Sequence, residues 1–394
     1  MPALPALAQS KLRQAPPTSR ERLAWTVFAL VMGGVYAVVL WRLHALRFPL
    51  ALDELHYWPT SLTFSHRFGL SQLRHYRELT TPLAFLVDGA VQRVTGHGLV
   101  LGRWLNAALS LVVLGLIASH GEQRWRAVLA SFGLLLCPYF LGMATLLYPD
   151  MLALALVVAG MVLYARRSER TAAAVWISAI ATRQYMVAFP AAMAAAAIWS
   201  REPRRRWRPP LLAAASLAAW AWFFDGLSPV TPFRGGPQTM HGIVVRNALY
   251  LLTCMGIYYV LPEAALFASQ RRWWRNWLPR WRMALLIGLG LAGAFLLFPP
   301  LRNLFGSPVI PSFGRFDLLV RARVGNGPRM AAYWLLALAA CGRFLLRPRT
   351  VPLFLIAANL GLMMLAPVAW EKYALPLLAV LWWLRAANPE VTLG

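Results

Sequence analysis

The sequence predicts an all-α fold, a polytopic bundle of transmembrane helices. Three observations carry this. Of 394 residues, 59% are hydrophobic and only 13% charged, about half the charged share of a typical soluble domain. Apolar runs approaching the ~20 residues that cross a bilayer core recur along the whole chain. Lys and Arg outnumber Asp and Glu by 39 to 14, and the arginines bunch in alternate short loops, the pattern of cytoplasmic connections. A nucleic-acid partner would require a soluble basic face with recognition elements, and the sequence has none.

The elements follow in order. Residues 1–23, rich in proline and alanine and basic, read as a cytoplasmic tail. One transmembrane domain then occupies 24–386, and 387–394 form a short C-terminal tail. Within it the apolar runs give about twelve spans: 24–43, 98–118, 126–145, 150–165, 171–182, 186–199, 210–224, 243–268, 283–299, 330–346, 350–366 and 374–385. The first run lacks a small-residue cleavage site and is read as a retained span. The loops "GEQRWR", "RRSER", "REPRRRWR", "SQRRWWRNWLPRWR" and "GRFLLRPR" belong on the cytoplasmic side. Facing outward are two long loops, 44–97 and 300–329, and shorter connections that include "LLYPD", "TRQYM" and "PVAWEKY". Within 44–97, the amphipathic stretch from Pro82 to Val94 predicts an interfacial helix.

This topology places Asp53, Glu54, Asp150, Arg183, Asp225, His241, Glu371 and Lys372 on one face, although their spans are scattered through the sequence. Ionisable groups at membrane depth usually line a cavity or pathway, so one outward-opening polar site is expected. In "LDELHYWP", Asp53 and Glu54 are adjacent and His56 follows; a carboxylate there suits a general base, while a solvated loop start is the plainer reading. Asp150 in "LLYPD" reads as a helix N-cap or a site residue. Arg183, beside Gln184, offers a planar fork for phosphate or snorkels to the interface. Glu371 and Lys372 either pair with each other or bind an anionic headgroup. Cys137, Cys254 and Cys341 lie inside apolar runs with no disulfide or zinc spacing. No Walker loop, Asp-x-Asp pair or His/Cys cluster appears, so neither a metal nor a nucleotide cofactor is expected.

Taken together, these motifs resemble the GT-C glycosyltransferases, membrane enzymes that take sugar from a polyprenyl-phosphate carrier. The resemblance is to the dolichyl-phosphate-glucose α-1,2-glucosyltransferase family in particular. Its first-loop pattern reads here as Asp53-Glu54, His56, Pro59, Phe64 and Thr80-Thr81-Pro82. Its later elements resemble Tyr148-Pro149-Asp150, Arg183-Gln184, His241 and Glu371-Lys372-Tyr373. The order agrees over about residues 50–378, with Leu83 standing where the family often has a second proline.

The resemblance implies a GT-C-type bundle with a catalytic first outer loop. It implies metal-independent, inverting transfer of a hexose from a polyprenyl-phosphate-linked donor to a glycan, lipid or protein acceptor. Asp53 would be the general base and Glu54 its support. His56, Thr81, Asp150, Arg183, Gln184, His241, Glu371 and Lys372 would bind substrate, Arg183 and Lys372 facing the phosphate. The alanine- and arginine-rich composition adds a bacterial inner membrane, with the site on the periplasmic side. Two other classes fit the same residues: a secondary transporter with Asp53 or Asp150 as its proton or cation site, and a non-catalytic scaffold or lipid-binding membrane protein; within the enzyme reading, a GT-C mannosyl- or aminoarabinosyl-type transferase is the runner-up.

Overall fold

The computed structural model describes residues 19–42, 44–96, 98–119, 124–229, 242–267, 278–300, 315–346 and 349–387. Among these residues every regular element is helical. In chain order they are α1 Ser19–Ala37, α2 Glu54–His66, α3 Leu70–His75, α4 Leu83–Thr95, α5 Gly98–Ala118, α6 Arg124–Leu135, α7 Pro138–Thr145, α8 Pro149–Ala165 and α9 Glu169–Thr182. Then come α10 Ala188–Trp199, α11 Arg204–Phe224, α12 Val245–Met255, α13 Leu261–Leu266, α14 Trp281–Leu297, α15 Arg315–Arg323, α16 Asn326–Leu345, α17 Thr350–Leu365 and α18 Leu375–Ala387.

Residues 44–96 fold into a cap made of helices α2, α3 and α4, and α4 lies where the amphipathic pattern predicts a helix. It packs along α2, closely enough that a Cβ on Gly89 would sit 2.8 Å from the Ser61 carbonyl oxygen. Its C-terminus is closed by Gly96 at φ 65°, a left-handed cap that glycine adopts without strain.

Helix α18 is buried from Leu375 to Ala386 and packs on α5, α6 and α8. Helices α12 and α16 form a second close pair. At Gly256, where α12 runs through a π-turn into α13, a Cβ would collide with the Leu336 carbonyl oxygen. The chain breaks at Arg183, whose backbone is extended (φ −148°, ψ 120°) between α9 and a short 3-10 turn leading into α10. Helix α11 packs against both α9 and α10.

Two helices are long and apolar enough to cross a membrane, Gly98–Ala118 and Val245–Leu266. Arg124–Leu135 and Pro138–Thr145, bent by 76°, make a third if taken as one span. Twelve full-length crossings are therefore not seen among the described residues. Several apolar runs form shorter helices, among them Pro149–Ala165 and Thr350–Leu365. At 1.5 Å per residue, a helix the length of α18 measures roughly 20 Å against a ~30 Å hydrocarbon core. Its apolarity serves packing, because other helices sheathe it.

Candidate functional site

The start of α2, the loop before α4, the α9–α10 connection, the end of α17 and the segment before α18 meet. They enclose a cavity of about 350 Å3. Its wall includes Asp53, His56, Arg77, Glu78, Arg183 and Lys372, and also apolar residues of α17, Leu362 and Met363.

Asp53 stands at the N-terminus of α2, directly after Leu52, which is held in the left-handed region at φ 57°. That conformation costs a non-glycine residue about 1–2 kcal/mol, and it is retained because the turn is clamped. Glu54, fully buried, receives Arg103 from α5 in a bidentate pair, Nε to Oε1 at 2.8 Å and one terminal nitrogen to Oε2 at 2.5 Å. The same guanidinium donates to the carbonyls of Leu46, Phe48 and Pro49. Glu54 also accepts the backbone N–H of Leu147 at 2.6 Å and of Ala51 at 3.2 Å. Its carboxylate is thus saturated and does not line the cavity. The adjacent acids have separate tasks: Glu54 fixes the turn, and the turn aims Asp53.

Asp53 is 30% exposed at its side chain and pairs with Lys372, Nζ to Oδ2, at 2.6 Å. Lys372 is buried against the rings of Tyr148, Trp370 and Tyr373, 4.4 to 5.7 Å from its ammonium nitrogen. Burial pulls its pKa below the usual lysine range, against the opposing pull of Asp150 and Asp53. Behind it, Asp150 holds Arg183 at 2.5 Å and accepts the Tyr185 hydroxyl at 2.7 Å. Arg183 also donates to the Tyr57 hydroxyl at 3.1 Å. Asp150 is not itself an N-cap: Tyr148 holds that position without a side-chain bond.

Of the other expected substrate contacts, His56 and Gln184 line the cavity and Thr81 does not. The Thr81 hydroxyl is fully buried and donates to the Ile180 carbonyl at 2.6 Å, as Thr80 does to Thr182 at 3.1 Å. Gln184 donates to the carbonyls of Leu79 and Leu227. These side chains fasten the cap to the bundle. Glu371 points away from the cavity, accepting the Tyr250 hydroxyl at 2.8 Å and the Phe316 N–H at 2.7 Å. His241 lies outside the described residues.

The sequence reading passed over Arg103 and Glu78. Glu78 lines the cavity with 8% of its surface exposed. Its one side-chain hydrogen bond among the described residues, from the Thr60 hydroxyl, is long at 3.4 Å. Burial raises its pKa from 4.5 to about 7, against the pull of Arg183 and Thr60, with Asp53 adding a small rise. Among the described residues no cluster of His, Cys, Asp and Glu is arranged to hold a metal ion. Compared with known proteins, the chain matches no family model, no curated protein and no solved structure.

Proposed function

We propose that the protein is an integral membrane glycosyltransferase that moves a hexose from a polyprenyl-phosphate-linked donor to a glycan, lipid or protein acceptor. The observation that carries this reading is the mixed character of a single cavity. It places three cations, Arg77, Arg183 and Lys372, beside two carboxylates, Asp53 and Glu78, with apolar α17 residues in the same wall. Cations suit a lipid phosphate, a carboxylate suits the proton of an attacking hydroxyl, and the apolar wall suits an isoprenoid chain. The acceptor oxygen attacks the anomeric carbon in line, with inversion, while the cations stabilise charge on the departing phosphate.

The arginine-rich loops favour a cavity on the non-cytoplasmic face, and the composition fits a bacterial inner membrane facing the periplasm. A secondary transporter using Asp53 or Asp150 is the competing reading. Both carboxylates already hold a cation of the chain, at 2.6 and 2.5 Å, which leaves less for a transported ion.

The deciding experiment uses the purified full chain in lipid nanodiscs with a radiolabelled polyprenyl-phosphate-glucose and a membrane extract as acceptor pool. Release of polyprenyl phosphate above that of empty nanodiscs is expected. Failure to consume glucosyl, mannosyl and aminoarabinosyl donors alike would overturn the reading.

A further inference from the structure

Of five carboxylates in and around the cavity, three are already committed and a fourth, Glu371, does not line it. Asp53 faces the Lys372 ammonium at 2.6 Å. Asp150 has Arg183 on one oxygen and Tyr185 on the other. Glu54 is saturated by Arg103 and two backbone N–H groups. Glu371 lies outside the cavity wall, its Oε1 taking the Tyr250 hydroxyl and the Phe316 N–H and its Oε2 buried without a hydrogen-bond partner among the described residues. Glu78 alone lines the cavity without an ion pair among the described residues, held only by the long bond from Thr60.

We infer that Glu78 is the catalytic carboxylate that takes the proton of the acceptor hydroxyl, with the Asp53–Lys372 pair orienting the reacting groups beside it. The inference rests on the transfer reaction proposed above. In that step the acceptor oxygen forms a bond to the anomeric carbon, and the bond from that carbon to the phosphate oxygen breaks. Its electron pair stays on the phosphate, which leaves as polyprenyl phosphate. The hydroxyl proton passes to Glu78 and then to solvent.

Two physical arguments favour Glu78 over Asp53. A carboxylate bound to an ammonium is a poorer proton acceptor, because taking the proton would cost it the ion pair. A general base works best when its pKa lies near the working pH, and burial brings Glu78 to about 7. The groups facing Glu78 are Arg183, which favours its charged form, and Asp53, which disfavours it. Tyr57 and Tyr76 feel its charge in turn, and His56 and Arg77 share its cavity. The reactive form is the carboxylate, so turnover should rise as pH climbs through about 7.

The test compares wild type, E78Q, D53N and T60A in nanodiscs. It measures binding of synthetic polyprenyl-phosphate-glucose, and its turnover at saturating donor between about pH 5 and 9. E78Q should bind donor within about twofold of wild type, lose turnover on the order of 100-fold or more, and lose the limb near neutrality. D53N should keep that limb. T60A removes a hydrogen bond that favours the charged form, so its limb should move to higher pH. A limb that persists in E78Q, or vanishes in D53N, overturns the assignment. Should E78Q fail to fold, an unshifted limb in T60A does the same. A wild type that consumes no donor would remove the transfer reading and Glu78's role with it. An active wild type matched by an equally active E78Q would remove the assignment alone.

Discussion

Lys372 reaches Asp53 at 2.6 Å across 319 residues of chain, tying the segment before α18 to the first turn of α2. The pair is asymmetric: the lysine side chain is 7% exposed and the aspartate side chain 30%. Removing either partner therefore leaves a different orphan.

D53N leaves a buried ammonium facing an amide, whereas K372M leaves a carboxylate that water still reaches. The expected cost is on the order of 3 kcal/mol for D53N and about 1 kcal/mol for K372M, read from thermal unfolding in detergent. The sign of the pH dependence follows from the lysine. Its folded pKa lies below the unfolded 10.5, so the unfolded chain binds more protons between the two values, and stability rises with pH across that window. The D53N deficit should shrink there. A larger cost for K372M would contradict this account.

The Glu54–Arg103 pair is a clamp on the turn before α2, and breaking a fully buried pair from one side costs about 3–5 kcal/mol. R103M should reach that range. E54Q should cost less, because its amide oxygen still accepts the Leu147 N–H. In a double-mutant cycle the two losses should fall short of additive by about 0.5–3 kcal/mol. Strict additivity would mean that the two residues do not work as one clamp.

Glu78 should be unfavourable for stability above neutral pH whatever its part in chemistry. Its folded pKa is raised from 4.5 to about 7. The folded state therefore holds the proton more tightly, and stability falls as pH rises through that interval. E78Q should gain on the order of 3 kcal/mol at pH 8 and nothing at pH 4. Equal unfolding temperatures for E78Q and wild type at pH 8 would place Glu78 in a wetter setting than the one described.

Gly256 lets α12 and α16 meet through their backbones. G256A forces a Cβ against a main-chain oxygen that no rotamer change can move, so the loss should exceed about 1–3 kcal/mol. G361A in α17, where no atom lies within 4 Å of the added Cβ, should be neutral or slightly stabilising. Similar behaviour of the two variants would argue against the close approach.

Much of this was legible in the sequence, for identifiable reasons. Asp53, Arg183 and Lys372 stand out because each is an ionisable group at the end of an apolar run. Glu78 does not, because a carboxylate beside Arg77 in a polar loop is no anomaly. Only its contact with Thr60 and its approach to Arg183 show that it turns inward. Arg103 does not stand out either, because its partner is 49 positions away. Thr80 and Thr81 read as a helix start, and their hydroxyls go instead to carbonyls on α9. The apolar runs were legible as helices. Whether a 13-residue helix such as α18 crosses a bilayer or is sheathed by others depends on contacts that hydropathy does not encode.

Three side chains fasten the cap to main-chain oxygens: Thr80 to Thr182, Thr81 to Ile180, and Gln184 to Leu79 and Leu227. A main-chain oxygen is the same acceptor whatever residue carries it. Positions 79, 180 and 227 can therefore drift in identity while the fastening persists, with no compensating change demanded at 81 or 184. Such pairs would leave no trace in the joint variation of diverging relatives, although they touch. The same indifference lets the residues that carry those oxygens be exchanged while helices α2 to α4 stay in register on α9.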